Sequence, residues 1–170
     1  MITTLVCVFL ILAVAFWIAT GLLGAPWVPT GNETVNEMLS VAGVNSGDVV
    51  YDLGSGDGRV VIAAAKRFHA RSVGVELNPF WVFWTWLKLT VLGLRGKTKV
   101  IWGNFFRVDL SKADVVTLYL LQNTNYKLEP KLKEELKPGS RVVSHVFTFN
   151  DWNPVKADTK LQIYLYIVND

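Results

Sequence analysis

At 170 residues the chain has room for one domain and a short appendage. Its composition, 51% hydrophobic with 18% charged, excludes a disordered chain and a nucleic-acid-coating protein. The formal net charge of +3 is dispersed, with no Lys/Arg run dense enough to track a phosphate backbone, so no nucleic-acid partner is expected. The single cysteine, Cys7, excludes a disulfide framework. Two distant histidines, His69 and His145, lack ligand spacing, so no metal is expected either.

The first element is apolar. No side chain from Ile2 to Pro29 is charged, and Ile2 to Leu23 is broken only by Thr3, Thr4, Thr20 and Gly21. About 20 such residues, at ~1.5 Å each, cross a ~30 Å hydrocarbon layer. Residues 1–24 are therefore expected to be a transmembrane anchor, and 25–170 the domain. A cleaved signal peptide would call for a basic leader, a shorter apolar run and an A-x-A-like site at its end; no Lys or Arg precedes this run, and Thr20-Gly21-Leu22-Leu23-Gly24 is a weak cleavage site. No basic residue precedes Arg59, so charge says little about orientation.

Pro26-Trp27-Val28-Pro29-Thr30-Gly31 reads as a rigid joint. Asn32 or Thr30 is expected to cap a helix reaching Ala42, with Val35, Met38, Leu39 and Ala42 on one face. Strands then alternate with helices. Val49–Leu53, Ser72–Glu76, Lys99–Trp102, Val115–Leu120 and Arg141–Val146 are expected strands. Arg59–Arg67, Pro79–Leu92 and Lys127–Leu136 are expected helices. Leu161–Val168 alternates and ends the chain as a strand. This order implies a parallel α/β sheet.

The first strand runs into Asp52-Leu53-Gly54-Ser55-Gly56-Asp57-Gly58-Arg59 and directly on into a helix. Glycines at such a turn allow close backbone approach to a ligand, and the helix N-terminus favours negative charge. A dinucleotide fold wants G-x-G-x-x-G, and Arg59 stands where its third glycine would be. The acidic-x-G-x-G-x-G pattern instead resembles motif I of class I methyltransferases. That resemblance implies a Rossmann-like α/β sheet, mostly parallel with an antiparallel C-terminal strand, and S-adenosylmethionine as cofactor. Asp52 is the candidate partner for the cofactor's cationic amino acid moiety. Opposite charges at ~4 Å gain roughly 4 kcal/mol at an effective dielectric of 20.

Glu76 ends the second strand about 20 residues past the loop, where a carboxylate accepts from ribose hydroxyls, with Leu77 beside it. After the third strand, Asn104 of Gly103-Asn104-Phe105-Phe106 is expected to hydrogen-bond the adenine edge, with Phe105 packed nearby. An ordinary turn with a buried Phe reads as well for Phe106.

Pro26-Trp27-Val28-Pro29-Thr30, the glycine loop with Gly54, Ser55, Gly56 and Gly58, Glu76-Leu77-Asn78-Pro79 and Val142-Val143-Ser144-His145 together resemble one family across residues 26–168. It is that of the small protein-lysine methyltransferases, broad-specificity in archaea, with membrane-anchored mitochondrial relatives acting on ATP synthase and adenine nucleotide translocase subunits. The resemblance implies methyl transfer to lysine ε-amines of proteins, membrane proteins among them. It also implies that the Pro-x-Val-Pro-Thr segment folds over the cofactor, with Thr30 contacting its methionine end; a stiff linker is the plainer reading. A catalytic domain on the cytoplasmic, cofactor-containing side and a monomer are expected.

Neutralising a lysine of pKa ~10.4 at pH 7 costs roughly 4.6 kcal/mol, which desolvation beside a cation can lower. Tyr119-Leu120-Leu121-Gln122-Asn123-Thr124-Asn125 follows strand four, where class I enzymes meet their acceptor. It is not the Asn/Asp-Pro-Pro-Tyr/Phe motif of base or glutamine methylation. Tyr119 and Asn123 are the candidates for orienting the amine, against a plainer reading in which Tyr119 packs and Asn123 caps a turn. His145 is a candidate proton acceptor or a buried histidine. Few residues follow Val146, so the helix after strand five is expected to be absent, leaving a reduced, open edge.

Pro79–Leu92 is apolar around nearly its whole circumference, and its tryptophans suit a headgroup interface. This helix is expected to lie on a bilayer beside Lys88 and Arg95. Two alternatives remain open: a methyltransferase of a small lipophilic acceptor such as a quinone or lipid, and a non-enzymatic membrane scaffold.

Overall fold

The computed structural model describes residues 28–169 together with Thr4, Cys7 and Val8. The expected anchor at residues 1–24 and the Pro26–Trp27 half of the joint lie, apart from those three positions, outside the described residues. Among the described residues no helix is long and apolar enough to cross a membrane.

Helix α1 (Asn32–Val41) leads to β1 (Val49–Leu53), α2 (Arg59–Arg67), β2 (Arg71–Glu76), α3 (Pro79–Val91) and β3 (Thr98–Trp102). A 3-10 turn at Phe105–Arg107 precedes β4 (Val115–Leu118), α4 (Gln122–Glu135), β5 (Arg141–His145), β6 (Lys156–Asp158) and β7 (Ile163–Ile167). The seven strands lie in the order β3-β2-β1-β4-β5-β7-β6. β1 to β5 are parallel, and β7 runs antiparallel between β5 and β6. This is the expected class I Rossmann-like sheet.

The β-branched runs form central strands because both faces are covered. Alternate residues of β1 and β4 divide between two cores: Tyr51, Leu53, Val116 and Leu118 meet Leu128 and Leu132 of α4. Val50 and Val115 meet Leu39 of α1 and Ala64 of α2 on the opposite face. The order reverses between β1 and β4, so the crevice that opens beyond their C-terminal ends is where such sheets bind ligands.

Several expectations need correction. The N-cap of α1 is Gly31, without a side-chain cap, rather than Asn32 or Thr30. β4 stops at Leu118, two residues early, and α4 starts at Gln122 with Pro130 inside it. Tertiary anchoring explains the early start: Asn125 Nδ2 donates to Ser144 Oγ (3.1 Å) and to the Phe147 carbonyl (3.0 Å), and Gln122 Nε2 to the Thr148 carbonyl (2.7 Å). The closing strand is confined to Ile163–Ile167, and three-residue β6 had no periodicity to reveal it.

The helix after β5 is absent among the described residues, as expected, yet the sheet still reaches seven strands. The stretch in its place is pinned to α4. Glu129, buried, accepts from the Asn150 (2.9 Å) and Asp151 (3.2 Å) amides and from Lys133 (2.6 Å). Phe149 and Trp152 pack on Tyr166.

Candidate functional site

The glycine loop is built as a cradle. Gly54 N and Ser55 N both donate to the Val75 carbonyl (2.9 and 3.0 Å), which turns the chain sharply off β1 and leaves the loop at the end of β2. Gly58 has φ +78°, and a Cβ there would lie 2.4 Å from Thr85 Cγ2 of α3, so only glycine fits. Gly74 plays the same part beneath the loop, where a Cβ would come within 2.7 Å of Ser55 Oγ. That hydroxyl is buried and has no hydrogen-bond partner among the described residues.

Asp52 is buried on β1 and accepts from Thr117 Oγ1 of β4 at 2.8 Å, so it sits at the strand-order reversal. Burial pushes its carboxyl up to about 7, with the Thr117 hydrogen bond opposing and the Glu76 and Asp57 charges reinforcing the rise. Glu76 is half-buried at the end of β2; its Oε2 accepts from Gly56 N (2.9 Å) and its Oε1 from Asn78 N (2.8 Å). Three carboxylates thus crowd one glycine loop, an arrangement that a cation relieves and an anion aggravates. A buried carboxylate, a glycine cradle and an unpartnered hydroxyl fit the amino acid and ribose ends of S-adenosylmethionine, which lacks the pyrophosphate of a dinucleotide.

Arg59 has a role that the pattern alone did not disclose. Its Nε donates to Asp57 Oδ1 (2.9 Å), its Nη2 to Asp57 Oδ2 (3.2 Å), and its Nη1 to the Thr30 carbonyl. The residue that rules out the dinucleotide fingerprint therefore ties the Val28–Thr30 segment, with Thr30 itself buried, to the glycine loop. Lys88 of α3 closes the network on the Asp57 carbonyl (2.6 Å) and Oδ2 (3.1 Å), and Thr85 Oγ1 donates to the Gly56 carbonyl (3.0 Å). Burial would raise the Asp57 carboxyl, but hydrogen bonds and charge from Arg59 and Lys88 outweigh it and hold the group below its ordinary value. Lys88 consequently faces the loop rather than solvent, which corrects its expected place beside lipid headgroups.

At the third strand, Asn104 is exposed and its Oδ1 caps the 3-10 turn by accepting from Phe106 N (3.0 Å), leaving its amide nitrogen as the available donor. Phe105 packs against the core beneath. Leu77 is exposed, and its carbonyl accepts from Trp102 Nε1 (2.9 Å), joining the ends of β2 and β3.

On the other side of the crevice, just past the end of β4 and at the end of β5, the Tyr119 and His145 rings meet tilted at 56°, with centroids 4.4 Å apart. Burial lowers the His145 pKa, so at neutral pH it is an uncharged imidazole; its Nδ1 is buried and has no partner among the described residues. Asn123 is exposed on the first turn of α4; the N-cap is Leu121, so it does not cap that turn. Gln122, Asn125 and Glu129, which hold the loop after β5, escaped the sequence reading because polar residues on a charged helix carry no periodic signal.

The ANTKMT methyltransferase domain family matches residues 52–156. The protein-lysine N-methyltransferase of Saccharolobus islandicus (strain REY15A) is 45% identical over 153 residues, covering 85% of this chain and 94% of its own length. The adenine nucleotide translocase lysine N-methyltransferase of Mus musculus is 35% identical over 133 residues, covering 78% of this chain. The chain spans little more than half of that relative, 58%. A crystal structure described as an RNA methyltransferase from Salinibacter ruber, in complex with S-adenosyl-L-homocysteine, superposes with a TM-score of 0.82 at 42% identity. It covers 84% of this chain and 95% of its own.

Proposed function

The chain belongs to the ANTKMT methyltransferase domain family, and from that premise we propose that it transfers methyl groups from S-adenosylmethionine to lysine ε-amines of membrane-associated proteins. The observation that carries the reading is Asp52: a buried carboxylate between two others, at the strand-order reversal, is a site for a cationic ligand. When bound, the cofactor supplies an electrophilic methyl group.

The chain's own residues bind and orient. Asp52 takes the cationic amino group, and Gly54, Ser55, Gly56 and Gly58 line the backbone approach. Glu76 accepts from the ribose hydroxyls with the lone pairs left over from the Gly56 and Asn78 amides. Leu77, Asn104 and Phe105 border the adenine. Thr30, drawn onto the loop by Arg59, covers the methionine end and excludes water. Tyr119 and Asn123 orient the acceptor amine, and the neutral His145 imidazole against Tyr119 is the group placed to receive its proton. Positioning and desolvation supply the catalysis, because in-line displacement needs no covalent step from the protein.

The apolar run Ile2–Leu23 supports attachment to a membrane, with the domain on the side that contains the cofactor. The description of the Salinibacter structure raises RNA as an acceptor class; the stretch after β4 lacks the motif of base methylation, which favours lysine. Incubation with labelled cofactor and a membrane fraction, followed by mass spectrometry, tests the assignment. Methyl-lysine in protein is the expected product; label confined to extractable lipid or to RNA would overturn it.

A further inference from the structure

Helix α3 has two different sides. Inward, Thr85 and Leu89 are buried, and Thr85 and Lys88 hold the carbonyls of Gly56 and Asp57. Outward, Phe80, Phe83, Trp84, Trp86 and Val91 are exposed, Phe83 at 61% and Val91 at 77%, and Trp102 of the edge strand β3 joins them at 68%. Between helix and strand runs an apolar groove of about 400 Å³, lined by Pro79, Val82, Phe83, Trp86, Val100 and Trp102. A contiguous apolar surface of this kind on a single chain marks an interaction site.

Charge narrows the occupant. Residues 77–108 contain no Asp or Glu and five cations, of which Lys88 alone turns inward. Arg95 lies over the Trp86 ring at 4.8 Å, and Arg95 and Lys97, in the turn that joins α3 to β3, are both exposed. A second copy of the chain would bring the same cations to the same face. An anionic surface complements them, and tryptophan with Arg and Lys around an apolar centre is the composition of a headgroup interface.

We infer that the α3–β3 face docks onto an anionic lipid bilayer. This deepens, and rests on, the proposed membrane attachment, and it restricts acceptors to lysines close to the headgroup region, since the helix that docks also clamps the glycine loop.

The test uses the full chain with Cys7→Ser and one new cysteine carrying an environment-sensitive fluorophore. Phe83→Cys reports on the proposed face, and Lys160→Cys reports on the turn before β7, toward the opposite sheet edge. Each is mixed with vesicles of brominated phosphatidylcholine, alone or with phosphatidylglycerol, and flotation is measured alongside. The expected result is quenching at position 83 at least about twofold stronger than at position 160 in the anionic vesicles, reduced by high salt and by Arg95→Glu with Lys97→Glu. Flotation with both vesicle types without selective quenching at 83 overturns the docking face and leaves the anchor standing. Flotation with anionic vesicles alone, with quenching at 83, upholds the docking face and removes the anchor. Quenching at 83 that ignores lipid charge and salt, or fluorophore shielding by single-stranded RNA in place of vesicles, overturns the proposal.

Discussion

Replacing Asp52 by Asn should stabilise the ligand-free chain while weakening its hold on the cofactor. The carboxyl is buried and its pKa is raised from 3.8 to about 7, mainly by desolvation. A group whose pKa is raised by folding favours the native state most below its unfolded pKa, and that advantage is lost as pH climbs through the folded value. Above pH 7 the native chain therefore carries an ionised carboxylate at a cost of about 4 kcal/mol. Asn keeps an oxygen to accept from Thr117, but its amide needs a partner of its own, which returns part of the gain. A net gain of about 2 kcal/mol at pH 8, or roughly 4–8 °C in Tm for a domain of this size, is expected. The gain should shrink toward pH 4, as protonation of Asp52 in the folded chain removes the buried charge. Differential scanning fluorimetry of both chains in detergent, across pH 4 to 8, measures it. Calorimetry with S-adenosylhomocysteine should show about 10- to 100-fold weaker binding, since a charge-assisted hydrogen bond is lost. An Asn variant less stable than the parent at pH 8, or a stability difference indifferent to pH, would refute the buried-charge reasoning. Unchanged affinity would refute the place of Asp52 in the site.

Gly58→Ala meets both a positive φ and Thr85, and should lower stability by about 2–4 kcal/mol in urea unfolding; pairing it with Thr85→Ala should restore part of that. Arg59→Met releases the Thr30 carbonyl and leaves Asp57 to Lys88, so cofactor affinity by calorimetry should fall roughly tenfold, with a smaller loss of stability. His145 has its pKa lowered by burial, so it favours the native state above its unfolded value of ~6.5 and that contribution fades as pH falls below it. His145→Gln should flatten the Tm profile between pH 7 and 5.

What could be read from the sequence was what local physics controls. The alternation of apolar runs with helical stretches named β1 to β5 and the helices α1 to α3, because parallel strands packed under helices are apolar and stand out against their surroundings, the central ones on both faces. The acidic residue, the three glycines and Glu76 were legible because backbone approach and charge demand those residue types at that spacing. Only the tertiary structure decided the rest. It turned Lys88 inward to Asp57, because a lysine on an apolar helix goes wherever an unsatisfied carbonyl and carboxylate lie within reach, and sequence does not give that distance. It gave Arg59 its hold on Thr30, a contact spanning 29 residues. It extended α4 back to Gln122 and supplied β6, since both exist only through partners elsewhere: the Ser144–Thr148 stretch for the helix, β7 for the strand. And it raised Asp52 from an acidic letter before a glycine loop to a carboxylate with a perturbed pKa, because burial and two neighbouring charges are properties of the folded chain alone.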